Sequence, residues 1–421
     1  MSSIYIPNTR AFNGTLKNQI PFNTHVKKVD GYRIIDSLIV ILLLSNYLCT
    51  HVNAVTEEPP KMLGQKMVYD PVNDRIILFG GSYYSNHYTF YGDTWSLEVG
   101  KATWTKLNNA GSPDARFNIG MAYDGDQKKI VLFGGFSAID RVGDTWIYDT
   151  AANTWTAVTP QVSPSRRSDM GIAYDSGAKK VVIFGGYGLG DRILDDTWTY
   201  DVEVNTWTQM APEIHPTARY GGIMVYDSYT EKVLLFGGHM NQDGRSIGYD
   251  NEVWAYEYES DSWERIPTTN KPPARYWHDL SYDPERHRII LFGGSGGGGN
   301  DLGDTWIYSC EDSSWSRVTS AENPEMRSQP SMAYDTSTRM TVMFGGADFK
   351  VQGEFLYYND VWALDENDQW RRLSAGTPSA SGSSESSIPG FQPIALMTGI
   401  TLAAMILVFV KRRKFQALPC Q

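Results

Sequence analysis

One unit of about fifty residues is written six times in this chain, and that repetition limits the fold more than any other feature. An apolar run ending in Gly-Gly recurs as RIILFGG, KIVLFGG, KVVIFGG, KVLLFGG, RIILFGG and TVMFGG. The pairs Gly80-Gly81, Gly134-Gly135, Gly185-Gly186, Gly237-Gly238, Gly293-Gly294 and Gly345-Gly346 are spaced by 54, 51, 52, 56 and 52 residues. A first Trp follows each pair (Trp95, Trp146, Trp198, Trp254, Trp306, Trp362), then a second (Trp104, Trp155, Trp207, Trp263, Trp315, Trp370), so twelve of the 13 Trp occupy two slots of one repeat. A fixed period of this length marks a repeat architecture in which no unit buries its apolar face alone.

Each unit divides into four short strands: a segment ending in Tyr-Asp, the run into Gly-Gly, and the runs around the two Trp. Turn words such as DPVNDR and DTAANT separate the first strand from the second and the third from the fourth. The Gly-Gly run is apolar at successive positions, so both of its faces must be covered. Sheets stacked face to face around an axis meet that demand, whereas a solenoid or a sandwich leaves one face wet. The large Trp fill the space between diverging sheets.

Gly-Gly, a downstream aromatic and a second Trp in a unit of this length resemble the kelch repeat. The resemblance runs from about Gly64 to Leu373. It implies an all-β, six-bladed β-propeller with four antiparallel strands per blade, the blades falling at about 64–107, 117–158, 168–210, 220–266, 276–318 and 328–373. Strand order is the same in all six units, so closure is expected from packing of blade six on blade one, helped by residues 55–63, without exchange of terminal strands.

In such a blade the second-to-third loops and the inter-blade loops emerge on one face, opposite the two tight turns. The long loops differ in every blade: 82–92, 136–142, 187–195, 239–251, 295–303 and 347–359. Variable loops on a repetitive scaffold are where recognition is expected. The inter-blade loops carry Pro-x-x-Arg, giving Arg116, Arg167, Arg219, Arg275 and Arg327, with Met62 in that slot in blade one. Two readings stand: a scaffold device in which each Arg bonds backbone carbonyls, or a collar that attracts carboxylates, which resembles how other kelch propellers hold acidic peptide side chains. Beside the Arg the units diverge, with Asn118, Asp169, Gly221, Trp277-His278 and Gln329. Trp277 is the one Trp outside the repeat. With Arg275 and His278 it forms either a stacking platform for a sugar or peptide ring or packing within blade five. Tyr83, Tyr84, Tyr88, Phe90 and Tyr91 in the first loop and Phe355, Tyr357 and Tyr358 in the sixth make an aromatic patch at the junction of the first and last blades. That patch reads as an interface hot spot or as a seal for the ring.

Catalytic chemistry finds little support. A copper-radical site of the galactose oxidase kind needs a Cys–Tyr thioether and two His ligands, yet Cys310 stands at the end of a third strand and the His residues show no paired metal spacing. The GDTW words at Gly92, Gly143 and Gly303 lack the Ser-x-Asp that opens sialidase turns. A sugar-ring isomerase like the sialic-acid mutarotases is the alternative, with Asp169 or His278 and a neighbouring Arg as acid and base, though nothing singles that pair out. No metal or cofactor is implied.

The ends suggest a compartment. SLIVILLLSNYLC at 37–49, after Lys27, Lys28 and Arg33, reads as a secretory leader within residues 1–54, either cleaved or retained as an anchor. Ile388 to Val410 carries no charge, spans about 34 Å as a helix, and precedes Lys411-Arg412-Arg413-Lys414, as expected of one transmembrane helix with a cytoplasmic tail at 411–421. The Ser-rich 374–387 reads as a flexible stalk. Pro389-Gly390-Phe391 resembles the PGF-type sorting signal of archaeal surface proteins, from which Phe415 to Gln421 depart. Residues 55–410 hold 28 basic and 46 acidic side chains, a balance of −18 that disfavours nucleic acid as a partner. The expectation is a non-catalytic, single-pass surface propeller, extracellular with its C-terminus in the cytoplasm, whose long-loop face binds an extracellular protein or glycan. Its oligomeric state is left open.

Overall fold

A computed structural model describes residues 57–107, 111–242, 244–297, 300–349, 355–374 and 379–380. The expected leader, transmembrane helix and cytoplasmic tail lie outside them.

The described chain is all-β apart from two short 3-10 turns. Six antiparallel sheets each take four strands of one repeat in chain order, and that of blade three also takes the short Arg167–Ser168. The first strands are Lys66–Asp70, Gly120–Asp124, Gly171–Asp175, Ile223–Asp227, Asp279–Asp283 and Ser331–Asp335. Each pairs with the strand ending at the Gly pair, so that Met67 lies opposite Leu78 in blade one and Met332 opposite Met343 in blade six. The last four side chains before every Gly pair are buried, as a strand covered on both faces requires. Every first strand packs against the first strands of its two neighbours, and Lys66–Asp70 lies between Gly120–Asp124 and Ser331–Asp335. This is the arrangement of a six-bladed β-propeller.

The ring closes between whole blades. Blade one holds only residues from the start of the domain and blade six only residues from its end. Met67 N–H donates to Ser331 Oγ (2.8 Å), Gln65 Nε2 to the Phe344 carbonyl (2.8 Å), and Gly346 N–H to the Met62 carbonyl (2.9 Å). Across the channel Lys66 Nζ reaches Asp279 Oδ1 at 2.9 Å, tying blade one to blade five.

The two Trp slots have different duties. The second Trp crosses to the preceding blade, where its indole N–H donates to a buried Thr: Trp155 to Thr94, Trp207 to Thr145, Trp263 to Thr197 and Trp370 to Thr305, all at 2.8–3.0 Å. At the other two junctions the Thr slot holds Val361, facing Trp104, and Val253, facing Trp315. Both of those indole nitrogens are buried without a partner.

Two parts of the segment expected as a stalk, Ser374 and Ser379–Ala380, are among the described residues. Ser374 Oγ accepts the Val361 N–H at 3.2 Å. Ser379–Ala380 adds a third strand to the loop-six hairpin of Ala347–Phe349 and Phe355–Tyr357.

Candidate functional site

The five repeated arginines are scaffold, and the carboxylate-binding collar is not formed. Arg116, Arg167, Arg219, Arg275 and Arg327 are at most 2% exposed. Each guanidinium donates to the carbonyl of the first Gly in its own blade's pair, Arg275 Nη1 to Gly293 O at 2.9 Å for example. Each also grips a carboxylate: Arg116 takes Asp144, Arg167 Asp196, Arg219 Asp250, Arg275 Asp304 and Arg327 Asp360, at 2.5–2.7 Å. In four blades the same carboxylate accepts the indole N–H of the first Trp, two residues on. Burial works against the charge on Asp144, Asp196 and Asp304, yet the guanidinium prevails and holds all three carboxyls below their usual range. A side chain buried between a carboxylate and a carbonyl is out of a ligand's reach.

The clasp also explains the Gly pair. The N–H of the second Gly donates to the carbonyl of the next blade's Arg, as in Gly135 to Arg167 and Gly294 to Arg327, both 2.9 Å. A Cβ on the first Gly would stand 2.5 Å from that carbonyl at Gly134, where φ is +66°.

Two residues beyond each Arg the chain turns across the channel. Gly64, Asn118, Asp169, Gly221, Trp277 and Gln329 all have positive φ, and their backbones form a closed circle of hydrogen bonds. Asn118 N–H donates to Gly64 O (2.7 Å), Asp169 to Asn118 (3.0 Å), Gly221 to Asp169 (2.8 Å), Trp277 to Gly221 (2.9 Å), Gln329 to Trp277 (2.7 Å) and Gly64 to Gln329 (3.4 Å). Two side-chain bridges run over this septum, from Trp277 Nε1 to Asp169 Oδ1 (2.8 Å) and from Gln329 Nε2 to Asn118 Oδ1 (3.0 Å). Gly221 leaves room for the indole, since a Cβ there would stand 2.8 Å from Trp277 Cδ1. A bulky residue held at positive φ is strained backbone of the kind that collects at functional sites.

Above the septum the long loops enclose a bowl of about 640 Å³. Asn118, Asp169, Trp277 and Gln329 are its floor, and Tyr84, Tyr88, Phe90, Phe117 and Phe136 line one side. Tyr187, Phe349, Phe355 and Tyr357 line the other. The rings brace one another: Phe90 packs at 5.7 Å from Phe117, Phe117 at 5.7 Å from Phe136, and Phe349 edge-on to Phe355 at 5.1 Å. Among the described residues Arg141 is the one cation lining the bowl. Its guanidinium lies 4.0 Å from the centre of the Tyr187 ring, and its Nε is buried without a partner. Burial pushes the Asp169 carboxyl up, while Ser168, Trp277 and Asn118 donate to it in opposition.

Trp277 and His278, adjacent in sequence, part company. Trp277 faces the bowl, and His278 is fully buried with its ring edge-on to Phe236 at 5.4 Å and neither nitrogen partnered. Burial, helped by Arg275, holds His278 well below the ordinary histidine range, so it is neutral. His278 and Arg275 therefore do not reach a ligand beside Trp277, and a mutarotase acid–base pair built on His278 is not assembled; Asp169, the other residue named for that role, does line the bowl. The aromatic patch divides too. Tyr84 and Tyr357 line the bowl, Tyr83 packs behind on Tyr357 at 4.6 Å, and Tyr358 stacks under the Arg327 guanidinium at 3.8 Å. Among the described residues no group of three or more His, Cys, Asp or Glu is placed to hold a metal ion.

The chain's sequence matches the profile of the KLHDC2/KLHL20/DRC7 kelch-repeats domain over residues 26–228 and 223–399. The chain belongs to this kelch family. Kelch domains generally mediate protein binding and are typically not enzymes. Similar proteins include Mei4-dependent protein 6 of Schizosaccharomyces pombe, 23% identical, with 73% of this chain aligned to 48% of that one. An F-box/kelch-repeat protein of Arabidopsis thaliana is 24% identical, over 70% of this chain and 53% of its own length. The dynein alpha chain of the Chlamydomonas reinhardtii flagellar outer arm is 24% identical over 70% of this chain and 7% of its own. The kelch chain thus spans about half the length of the first two relatives.

Phe136, Arg141, Tyr187 and Phe349 of this kelch protein lie in loops the sequence marks for recognition without being singled out there, and Phe117 lies outside those loops. Phe117 stands one residue after the repeated Arg, where the backbone alternation turns its ring away from the clasp, and that offset was the available signal. For Arg141 the signal stopped at its loop, because its position depends on how the second loop folds back onto Tyr187.

Proposed function

We propose that this kelch protein is a non-catalytic binding module that takes a protein partner into the aromatic bowl. The observation that carries the reading is the bowl itself: nine aromatic side chains around the floor Trp277, over a septum that gives it a bottom. Its rim supports the same conclusion. Tyr88 is 56% exposed and Ile139 95%, and Leu189 and Ile247 are exposed at the tips of the third and fourth loops. Exposed apolar tips around an aromatic depression are the composition of a protein interface core. Arg141 supplies one charged donor for a carbonyl or carboxylate of the partner. A glycan is the second reading, favoured by the floor indole and the tyrosines, on which a sugar ring can stack.

The test is a peptide-display selection and a glycan screen against the full chain, repeated with Phe117→Ala, Arg141→Ala and, on the tight-turn face, Lys179→Ala. Ligands of the bowl lose at least tenfold in affinity with the first two variants and nothing with the third. Ligands indifferent to Phe117 and Arg141 would remove the bowl as the site.

Display at the cell surface is part of this proposal, and the apolar segments at 37–49 and 388–410 with their flanking charges support it. Protease added to intact cells then cuts the propeller's loops while an epitope after Arg413 survives. Protection of both ends argues for an internal location.

A further inference from the structure

Beneath the septum lies a second, small cavity of about 40 Å³, walled from below by Lys66, Met170 and Ile223 and roofed by the floor residues of the bowl. Gln65 and His278 also line it, in the slot that holds Ile119 and Met170 in blades two and three. Three of their side-chain atoms have no protein partner: Gln65 Oε1, His278 Nδ1 and His278 Nε2. Both side chains are about 99% buried. Polar atoms in such a position are satisfied by protein or by ordered water in nearly every folded protein, and an orphan costs more than a hydrogen bond gains. A cavity holds water when it is polar and offers at least 10–15 Å³ per molecule, so this one has space for about two or three.

We infer that the sub-septum cavity is a water-binding site, in which two or three ordered molecules bridge His278 and Gln65 to the floor side chains of the bowl. The chemistry fits from both sides. His278 is neutral and so offers one donor and one acceptor, and Gln65 Oε1 accepts while its Nε2 is committed to the Phe344 carbonyl. Asn118, Asp169 and Gln329 line both this cavity and the bowl, so the water sits directly under the side chains a ligand meets. The site stands whatever the bowl binds.

A crystal structure of the protein at about 1.8 Å or better tests it. The expected result is two or three peaks in the cavity, at least one within hydrogen-bond distance of a His278 ring nitrogen. An empty cavity overturns the inference. Xenon pressurisation of the same crystals gives an independent reading: a wet cavity excludes the gas, and xenon bound beneath Trp277 in the unmodified protein also overturns it. His278→Met, which installs the side chain blade three carries here, should lose the peak nearest residue 278. Persistence of that peak would show that His278 does not hold the water. Should the variant fail to fold, the first two measurements decide alone.

Discussion

The Thr–Trp contact between blades gives a prediction whose sign, and not only size, is at stake. At four junctions a buried Thr hydroxyl accepts the next blade's indole N–H at 2.8–3.0 Å, and at two the slot is Val361 or Val253 and the indole of Trp104 or Trp315 is orphaned. Val361→Thr replaces a methyl by a hydroxyl at a position where Val361 pairs with Phe344 just as Thr94 pairs with Phe79. If the hydroxyl reaches Trp104 Nε1, one orphan donor is relieved and one hydrogen bond is gained, worth about 1 kcal/mol. If it does not, a second polar group is buried unpaired and the change costs about 1–2 kcal/mol. The two outcomes differ by roughly 2–3 kcal/mol, well outside error. Urea unfolding with an unchanged m-value is the assay, in which a stabilising substitution raises the midpoint. The decisive control is Val361→Thr in a Trp104→Phe background, where the gain must vanish. A destabilised Val361→Thr, or a gain that survives the loss of the indole, refutes the reasoning. Thr94→Val, the reverse change at an intact junction, should cost about 1–2 kcal/mol.

Other consequences follow from the same geometry. Gly134→Ala places a Cβ against the Arg167 carbonyl at a positive φ, and a loss above about 3 kcal/mol in thermal or urea unfolding is expected; a loss below 1 kcal/mol would show that the blade junction yields. Arg275→Ala leaves Asp304 buried without its cation and should destabilise by about 3–5 kcal/mol, a structural loss that any binding assay has to separate from affinity. Asp301 has its carboxyl raised to about 6 by burial and then by neighbouring Asp348. Its folded pKa exceeds its unfolded one, so its contribution to stability is full below about pH 4 and is lost as pH rises through 6. Asp301→Asn should therefore stabilise the protein at pH 7 and flatten that part of the profile, and an unchanged profile counts against it. The clasped Asp144, Asp196 and Asp304 act the other way, with stability present above about pH 4 and lost on acidification below it.

The blades were legible in the sequence because each repeat states its own local rules: a Gly pair, two Trp, and Asp-rich turns at fixed offsets. The clasp was half legible. Pro-x-x-Arg and Asp-x-Trp are both visible, yet their partnership spans about thirty residues and appears only once two strands bring Arg275 and Asp304 together. Blade four hides it further, because its Asp250 stands four residues before Trp254 instead of two and leaves that indole without a partner. The bowl was the least legible, since its side chains come from four unlike loops and from the turns of the septum. Trp277 drew notice as the one Trp out of register, and it does face the bowl, whereas Arg275 and His278 are buried in the scaffold on either side of the turn that Trp277 makes at positive φ.

The septum's six hydrogen bonds all run in one rotational sense, and a circle has neither first member nor last. Blade number is thereby fixed as a property of the whole. An inserted seventh repeat, however well formed, would have to break one link and widen a circle already at bonding distance. Exchange of one blade for another leaves it intact, as does moving the chain's ends to any tight turn. A circular permutant opened at Gly125 should keep the bowl, and a duplicated blade should not. Such a propeller can be reordered or rewritten blade by blade, but it cannot be lengthened.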